Sequence, residues 1–106
     1  MSRENKIQEI QILEHNLQNL ILQKQAFQME LTETTSALAE IEKSGDEVFK
    51  IIGQLMIKTD KKEIEKELQD KKKILELRVK TFEKQENSLM ERLEKMKEEF
   101  SKEAKK

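Results

Sequence analysis

The residues of this chain that could carry chemistry are few and widely spaced. His15 is the single histidine and there is no cysteine, so a thiolate metal site or a disulfide framework cannot form. His15 falls on the solvated side of a predicted helix, and Glu14 beside it is one of many surface acids. No Gly-rich phosphate loop is present, so nucleotide hydrolysis is not expected. The sequence therefore predicts no enzyme, no cofactor and no metal site.

The charge pattern also argues against nucleic-acid and membrane partners. Lys71, Lys72 and Lys73 form a basic run, but it lies beside the acids Glu67 and Asp70, which favours a solvated helix face with ion pairs between neighbouring turns. The net charge of −1 argues against a general nucleic-acid binder, which would require a basic stripe that the sequence does not have. No stretch approaches the roughly 20 apolar residues that span a bilayer, and the N-terminus lacks the features of a signal peptide. We expect a cytoplasmic protein.

The composition predicts long helices instead of a compact globular core. Charged residues make up 41% of the 106 residues, against roughly 25% in ordinary globular domains, and aromatic residues only 4%. Proline is absent, and the only two glycines, Gly45 and Gly53, lie close together near the middle. A single domain over residues 1–106 is expected, with one helix over about 4–42 and another over about 60–103.

Both predicted helices carry apolar residues in alternating steps of three and four, which is typical of a coiled coil. A helical bundle is the alternative. The core positions of the first helix are Ile10, Leu13, Leu17, Leu20, Lys24, Phe27, Leu31, Thr34, Leu38 and Ile41. Those of the second are Leu68, Lys72, Leu75, Val79, Phe82, Glu86, Leu89, Leu93, Met96 and Phe100.

Four of these core positions are polar: Lys24, Thr34, Lys72 and Glu86. They have two interpretations. Polar core residues can fix the register of a coiled coil at some loss of stability. Long side chains can also reach past the seam into water, and we favour this second interpretation.

Between the helices, the sequence predicts a β-hairpin over about 47–59. A turn-rich cluster at 43–46 ends the first helix, and Thr59 or Asp60 can cap the second. The intervening run is apolar and β-branched on both sides of Gly53, which indicates two short strands joined by a tight turn. The hairpin residues are Val48, Phe49, Ile51, Ile52, Gly53, Leu55, Met56 and Ile57.

A hairpin of this kind is expected to need partners. Two strands alone are marginally stable in water, and these would place apolar side chains on both faces. Both outer edges would also offer unpaired backbone groups to another chain. We therefore predict that the chain oligomerises through its hairpin.

If the helices pair antiparallel, their free ends meet at a tip about 60 Å from the hairpin. Apolar residues there exceed what the seam needs, and methionine suits an adaptable binding surface. The tip residues are Ile7, Ile10, Ile12, Leu13, Leu93, Met96 and Phe100. We expect Ile10, Leu13 and Leu93 to complete the seam; Ile7, Ile12, Met96 and Phe100 are candidates for binding other proteins.

The chain resembles the prefoldin family, and in particular its smaller, archaeal-type β subunit. Three stretches carry the likeness: Leu22–Gln25 with Met29–Glu33, Ala37–Ile41, and the hairpin from Val48 to Thr59 with its central Gly53. The likeness covers nearly the whole chain. The α type carries an additional hairpin, for which the short connection here leaves no room.

This resemblance implies a chaperone subunit in a hexamer of two α-type and four β-type subunits, whose hairpins build a shared β-barrel. Such assemblies are ATP-independent holdases that capture unfolded proteins at the coiled-coil tips and deliver them to a group II chaperonin. The alternative is a structural coiled-coil scaffold or spacer with one specific folded partner. An apolar hairpin at the bend favours the chaperone, since a simple spacer has no use for one.

Overall fold

The computed structural model describes residues 3–104 and has the predicted order of helix, hairpin and helix. Helix α1 is Arg3–Lys43, strand β1 is Val48–Ile52, strand β2 is Leu55–Thr59 and helix α2 is Lys61–Ala104. The mainly α fold class, with one hairpin between two long helices, is thereby confirmed. The extent of the domain over 1–106 stays a prediction, and residues 1, 2, 105 and 106 lie outside the described part of the chain.

Backbone and side-chain hydrogen bonds mark the two inner helix ends. At the end of α1, the backbone N–H and the hydroxyl of Ser44 both donate to the carbonyl of Ile41, at 3.1 and 2.7 Å. At the start of α2, the carboxylate of Asp60 accepts the backbone N–H of Lys62 at 3.3 Å, which makes Asp60 the cap. Lys61 donates to the carbonyl of Ser44 at 2.9 Å. This bond ties the start of α2 to the end of α1.

The helices contribute to two compact units. One, the terminal unit, lies within Met1–Ala26 and Val79–Lys106; the other, the hairpin unit, is Phe27–Arg78. In each unit the heptad positions form the seam, and all ten predicted core positions of each helix are buried or half-buried. The most buried seam residues are Leu13, Val79 and Leu93 in the terminal unit and Thr34, Leu38 and Leu75 in the hairpin unit. The seam is therefore the core of both units.

Leu75 gives a direct test of the seam. Its side chain is 4% exposed, so Leu75→Ala is expected to lower the free energy of unfolding by about 2–5 kcal/mol through lost burial and a cavity. The thermal midpoint followed by circular dichroism should fall by roughly 10 °C or more. The matched control is Leu77→Ala, two residues further on at 65% exposure, which should change the midpoint by a few degrees at most. Equal shifts in the two variants would contradict the seam assignment.

The hairpin is an antiparallel pair whose register runs from Val48 opposite Thr59 to Ile52 opposite Leu55. Gly53 and Gln54 form the two-residue turn. Gly53 has a φ of +60°, and the described residues other than glycine all avoid positive φ. Glycine at the first of two turn positions is typical of a type II′ turn, whose twist matches that of the strands. The sequence prediction of a tight turn at Gly53 is confirmed.

Candidate functional site

The hairpin presents apolar side chains on both of its faces. Residues directly opposite each other in an antiparallel pair point to the same face, and successive pairs alternate. The register therefore divides the hairpin in two. The first face consists of Val48, Lys50, Ile52, Leu55, Ile57 and Thr59. The second face consists of Phe49, Ile51, Met56 and Lys58.

Almost all of these apolar side chains are exposed in the single chain. Ile51 on the second face is 70% exposed, and its cross-strand partner Met56 is exposed to a similar degree. Ile52, Leu55 and Ile57 on the first face are exposed as well. A contiguous apolar surface of this kind on a small protein is typical of a protein–protein interface.

The first face is less exposed near the helices than near the turn. Val48 and Thr59, the pair nearest the helices, are half-buried. Further along, the ammonium group of Lys50 lies 3.3 Å from a carboxylate oxygen of Glu67 on α2. Both of these charged side chains are exposed, so the pair contributes little to stability. On the second face, the ammonium group of Lys58 lies 3.7 Å from a carboxylate oxygen of Glu47, which precedes β1. The apolar side chains of this face, Phe49, Ile51 and Met56, are exposed to solvent in the single chain.

The hairpin also has two open edges. Strands β1 and β2 form a two-stranded sheet and pair only with each other among the described residues. Each strand therefore keeps one edge of backbone groups with no strand beside it. Open edges next to exposed apolar side chains are what strand addition from another chain requires.

The tip residues differ in their accessibility. Leu13 and Leu93 are buried in the seam, which is the position expected of residues that complete it. Ile10, Met96 and Phe100 are half-buried. Ile7 and Ile12 are 41% and 59% exposed. The surface available for binding at this end is therefore centred on α1.

Three polar contacts between the helix ends were not predicted from the sequence. The guanidinium group of Arg3 lies over the ring of Phe100, 5.2 Å from its centre. Lys6 forms an ion pair with Glu103. Glu14 and Lys97 form another at 3.2 Å. The sequence does place opposite charges beside the heptad core, which indicates that ion pairs can form across the seam. Which charges pair depends on the register between the helices, and the sequence pattern does not fix that register.

The ion pair with Lys6 predicts a local pH dependence. Hydrogen bonding from Lys6 lowers the pKa of the Glu103 carboxyl. Because the pKa of Glu103 is lower in the folded state, the pair stabilises the helix ends at pH values above the unfolded-state pKa. This stabilisation is lost as the pH falls through the folded-state pKa. Titration of the Glu103 carboxyl by NMR should show the lowered pKa, and Lys6→Gln should return it to the ordinary range. If the pKa of Glu103 is the same in Lys6→Gln as in the natural protein, the contact is contradicted.

Two of the four polar core positions contact each other. Lys24 and Glu86 form an ion pair in the seam of the terminal unit, with Nζ and Oε2 2.7 Å apart. The snorkelling interpretation did not predict this pairing. Thr34 is buried, and its hydroxyl donates to the carbonyl of Glu30 on its own helix at 2.8 Å. Lys72 is half-buried.

Among residues 3–104 there is no group of three His, Cys, Asp or Glu side chains placed to hold a metal ion. The same residues contain no helix long and apolar enough to cross a membrane.

A family model described as prefoldin subunit matches residues 4–106. The chain belongs to the prefoldin subunit family. As a prefoldin subunit it is part of a chaperone and assembles with other prefoldin subunits.

Archaeal relatives and one solved structure show which type of prefoldin subunit the chain is similar to. It is 41% identical over 93 residues to prefoldin subunit beta of Sulfurisphaera tokodaii, a match covering 86% of this chain and 74% of that one. It is 44% identical over 89 residues to prefoldin subunit beta of Pyrobaculum calidifontis, covering 82% and 71%. The crystal structure of the prefoldin beta subunit from Thermococcus strain KS-1 superimposes with a TM-score of 0.88 at 34% identity, covering 94% and 90%. The resemblance to β-type prefoldin is confirmed.

Proposed function

We propose that the chain joins α-type prefoldin subunits in a hexamer of two α-type and four β-type subunits, through a β-barrel built from the hairpins. The observation that carries this proposal is the hairpin itself, which leaves Ile51, Met56 and Leu55 largely exposed beside two open strand edges. Neighbouring hairpins would cover these side chains and pair with the free edges. Burial of each such side chain is worth about 1.5–3 kcal/mol.

The assembled subunit acts as a holdase for unfolded proteins, which it binds at the tip residues and delivers to a group II chaperonin. Ile7 and Ile12 supply exposed apolar surface for a non-native chain, and the half-buried Met96 and Phe100 lie at the same end of the terminal unit. Generic apolar contacts of this kind suit a binder of many clients. The sequence has no phosphate-binding motif, which supports action without ATP. We place this action in the cytoplasm.

The test combines assembly with suppression of aggregation. The chain is mixed with an archaeal α-type prefoldin subunit, and the complex is purified by size-exclusion chromatography. A chemically unfolded protein is then diluted into buffer with the complex, and light scattering is followed without ATP. The scattering should rise more slowly than with an equal mass of an unrelated coiled-coil protein. An identical scattering curve would contradict the holdase role.

The second candidate is a scaffold that binds one folded partner through its coiled coil. The cross-helix ion pairs Glu14–Lys97 and Glu30–Lys71 would suit a rigid spacer. A scaffold would leave the scattering of unfolded proteins unchanged and would keep its function when the exposed tip residues Ile7 and Ile12 are made polar. A holdase would lose client binding in that variant.

A further inference from the structure

The seam of the terminal unit contains an ion pair where a coiled coil ordinarily buries leucine. Nζ of Lys24 on α1 lies 2.7 Å from Oε2 of Glu86 on α2, and the two side chains are 21% and 18% exposed. The ion pair of Glu30 with Lys71 also joins the two helices, but its atoms are 3.7 Å apart and its side chains about half exposed. The seam pair therefore has the short distance and partial burial of a charge-assisted hydrogen bond, whereas the other is a surface pair.

Helix α1 cannot satisfy Lys24 by pairing with another α1. Lys24 is the only charged residue among the ten core positions of α1, and none of those ten is acidic. Two α1 helices packed along their seams would leave a lysine of each copy in the seam without a carboxylate. A lysine held in the seam without a carboxylate loses hydration and gains no ion pair, which is unfavourable. Helix α2 supplies the missing acid at Glu86.

The apolar core positions make no such distinction. Leucine, isoleucine and phenylalanine recur in both helices, so either stripe can pack on a copy of itself, and also after a slip of one heptad. Such a slip would move Lys24 about 10 Å along the seam from Glu86 and leave both charges among apolar residues. The apolar stripe alone therefore disfavours neither the packing of a helix on a copy of itself nor a slip of one heptad.

We propose that the Lys24–Glu86 pair selects α2, in the observed register, as the partner of α1, and so rejects α1 of another copy. Selection matters for a subunit that assembles with relatives of similar sequence, because assembly brings many helices with similar stripes close together. The pair acts as a specificity determinant of helix pairing. The inference does not depend on whether the chain binds clients.

Charge reversal tests the pair in the full-length chain. Lys24→Glu should lower the thermal midpoint by roughly 10 °C, since it places two carboxylates together in the seam. Adding Glu86→Lys should restore the midpoint to within about 3 °C, because it recreates the pair in reverse. The matched control is Glu30→Lys opposite Lys71, which should lower the midpoint by no more than about 3 °C. If Lys24→Glu fails to fold, Lys24→Gln compared with Glu30→Gln gives the same contrast.

Partner choice is tested separately with the double variant Lys24→Leu, Glu86→Leu. Such a variant keeps or raises the thermal midpoint, because leucine packs well in a seam. Copies labelled with 15N and unlabelled copies are unfolded, mixed, refolded and treated with a zero-length carbodiimide cross-linker. In the natural protein, nearly every Glu14–Lys97 cross-link should join two peptides that are both labelled or both unlabelled, because both come from the same copy. Cross-links between a labelled α1 and an unlabelled α1 should be absent. The leucine variant should gain such α1–α1 cross-links.

The two measurements separate a selective pair from one that only stabilises. A midpoint that falls equally in Lys24→Glu and Glu30→Lys would overturn the proposal, as would a double reversal that fails to recover. A leucine variant that refolds with the cross-links of the natural protein and no α1–α1 products would also overturn it. The pair would then have no effect on which helix α1 selects as its partner.

Discussion

Ile51→Asp is expected to abolish assembly with α-type subunits while leaving the single chain folded. Ile51 is 70% exposed in the chain alone, so the substitution removes little from its own core. In the assembly, however, the carboxylate would enter the sheet shared between hairpins without a partner. A buried unpaired charge is unfavourable by several kcal/mol, which corresponds to an affinity at least about 1,000-fold weaker for each contact. Ile57→Asp on the opposite face of the hairpin should act in the same direction.

Size-exclusion chromatography and circular dichroism measure the two parts of this prediction. The complex should disappear from the elution profile, and the helical signal should be largely retained. Leu22→Asp is the matched control, because Leu22 is 63% exposed on α1 and lies outside the hairpin. That control should still form the complex. A full-size complex with Ile51→Asp would rule out the proposed role of the hairpin.

Ile7→Ser combined with Ile12→Ser is expected to remove most of the protection against aggregation while assembly survives. These two side chains are the exposed apolar residues among the tip residues, at 41% and 59%. Serine makes these two positions polar and removes the apolar contacts that a non-native chain would make. Each lost contact of this size is worth about 1–2 kcal/mol, so the two together should weaken binding by at least about tenfold.

The control for the tip is Ile74→Ser, because Ile74 is 55% exposed on α2 in the hairpin unit. The assembled complexes are compared by light scattering at equal concentration. Loss of protection in the tip variant alone would support client binding there; equal protection by all three complexes would contradict it. Point substitutions are sharper than removal of residues 1–8 and 98–106, because that truncation would also remove the contacts of Arg3 with Phe100 and of Lys6 with Glu103.

Most of the fold could be predicted because its signals are local. Gly45 and Gly53 are the only strong breakers, and steps of three and four on either side of them define the buried stripe of each helix. Every core position predicted in this way is buried or half-buried. The hairpin followed from a β-branched run around one glycine, and Gly53 has the positive φ that such a turn requires.

The candidate surfaces were predicted less completely, because accessibility depends on what packs alongside each residue. The heptad register separated Leu13, which is buried in the seam, from Ile12, which is exposed. It did not show that Met96 and Phe100, also candidates for binding, are half-buried. Phe100 is covered by Arg3, which begins the other helix almost a hundred residues earlier, and no local pattern indicates that contact.

By itself, the sequence determined the order of helix, hairpin and helix, which helix residues face the seam, and that the hairpin carries more apolar surface than one chain can bury. These properties follow from backbone preferences and periodicity within a few turns. Only the tertiary structure decided that Lys24 meets Glu86, that Lys50 reaches Glu67, and that Glu103 pairs with Lys6. The physical reason is that a heptad fixes the side of a helix on which a charge lies, whereas its partner is fixed by the register between helices, and a shift of one turn changes every such distance by about 5 Å.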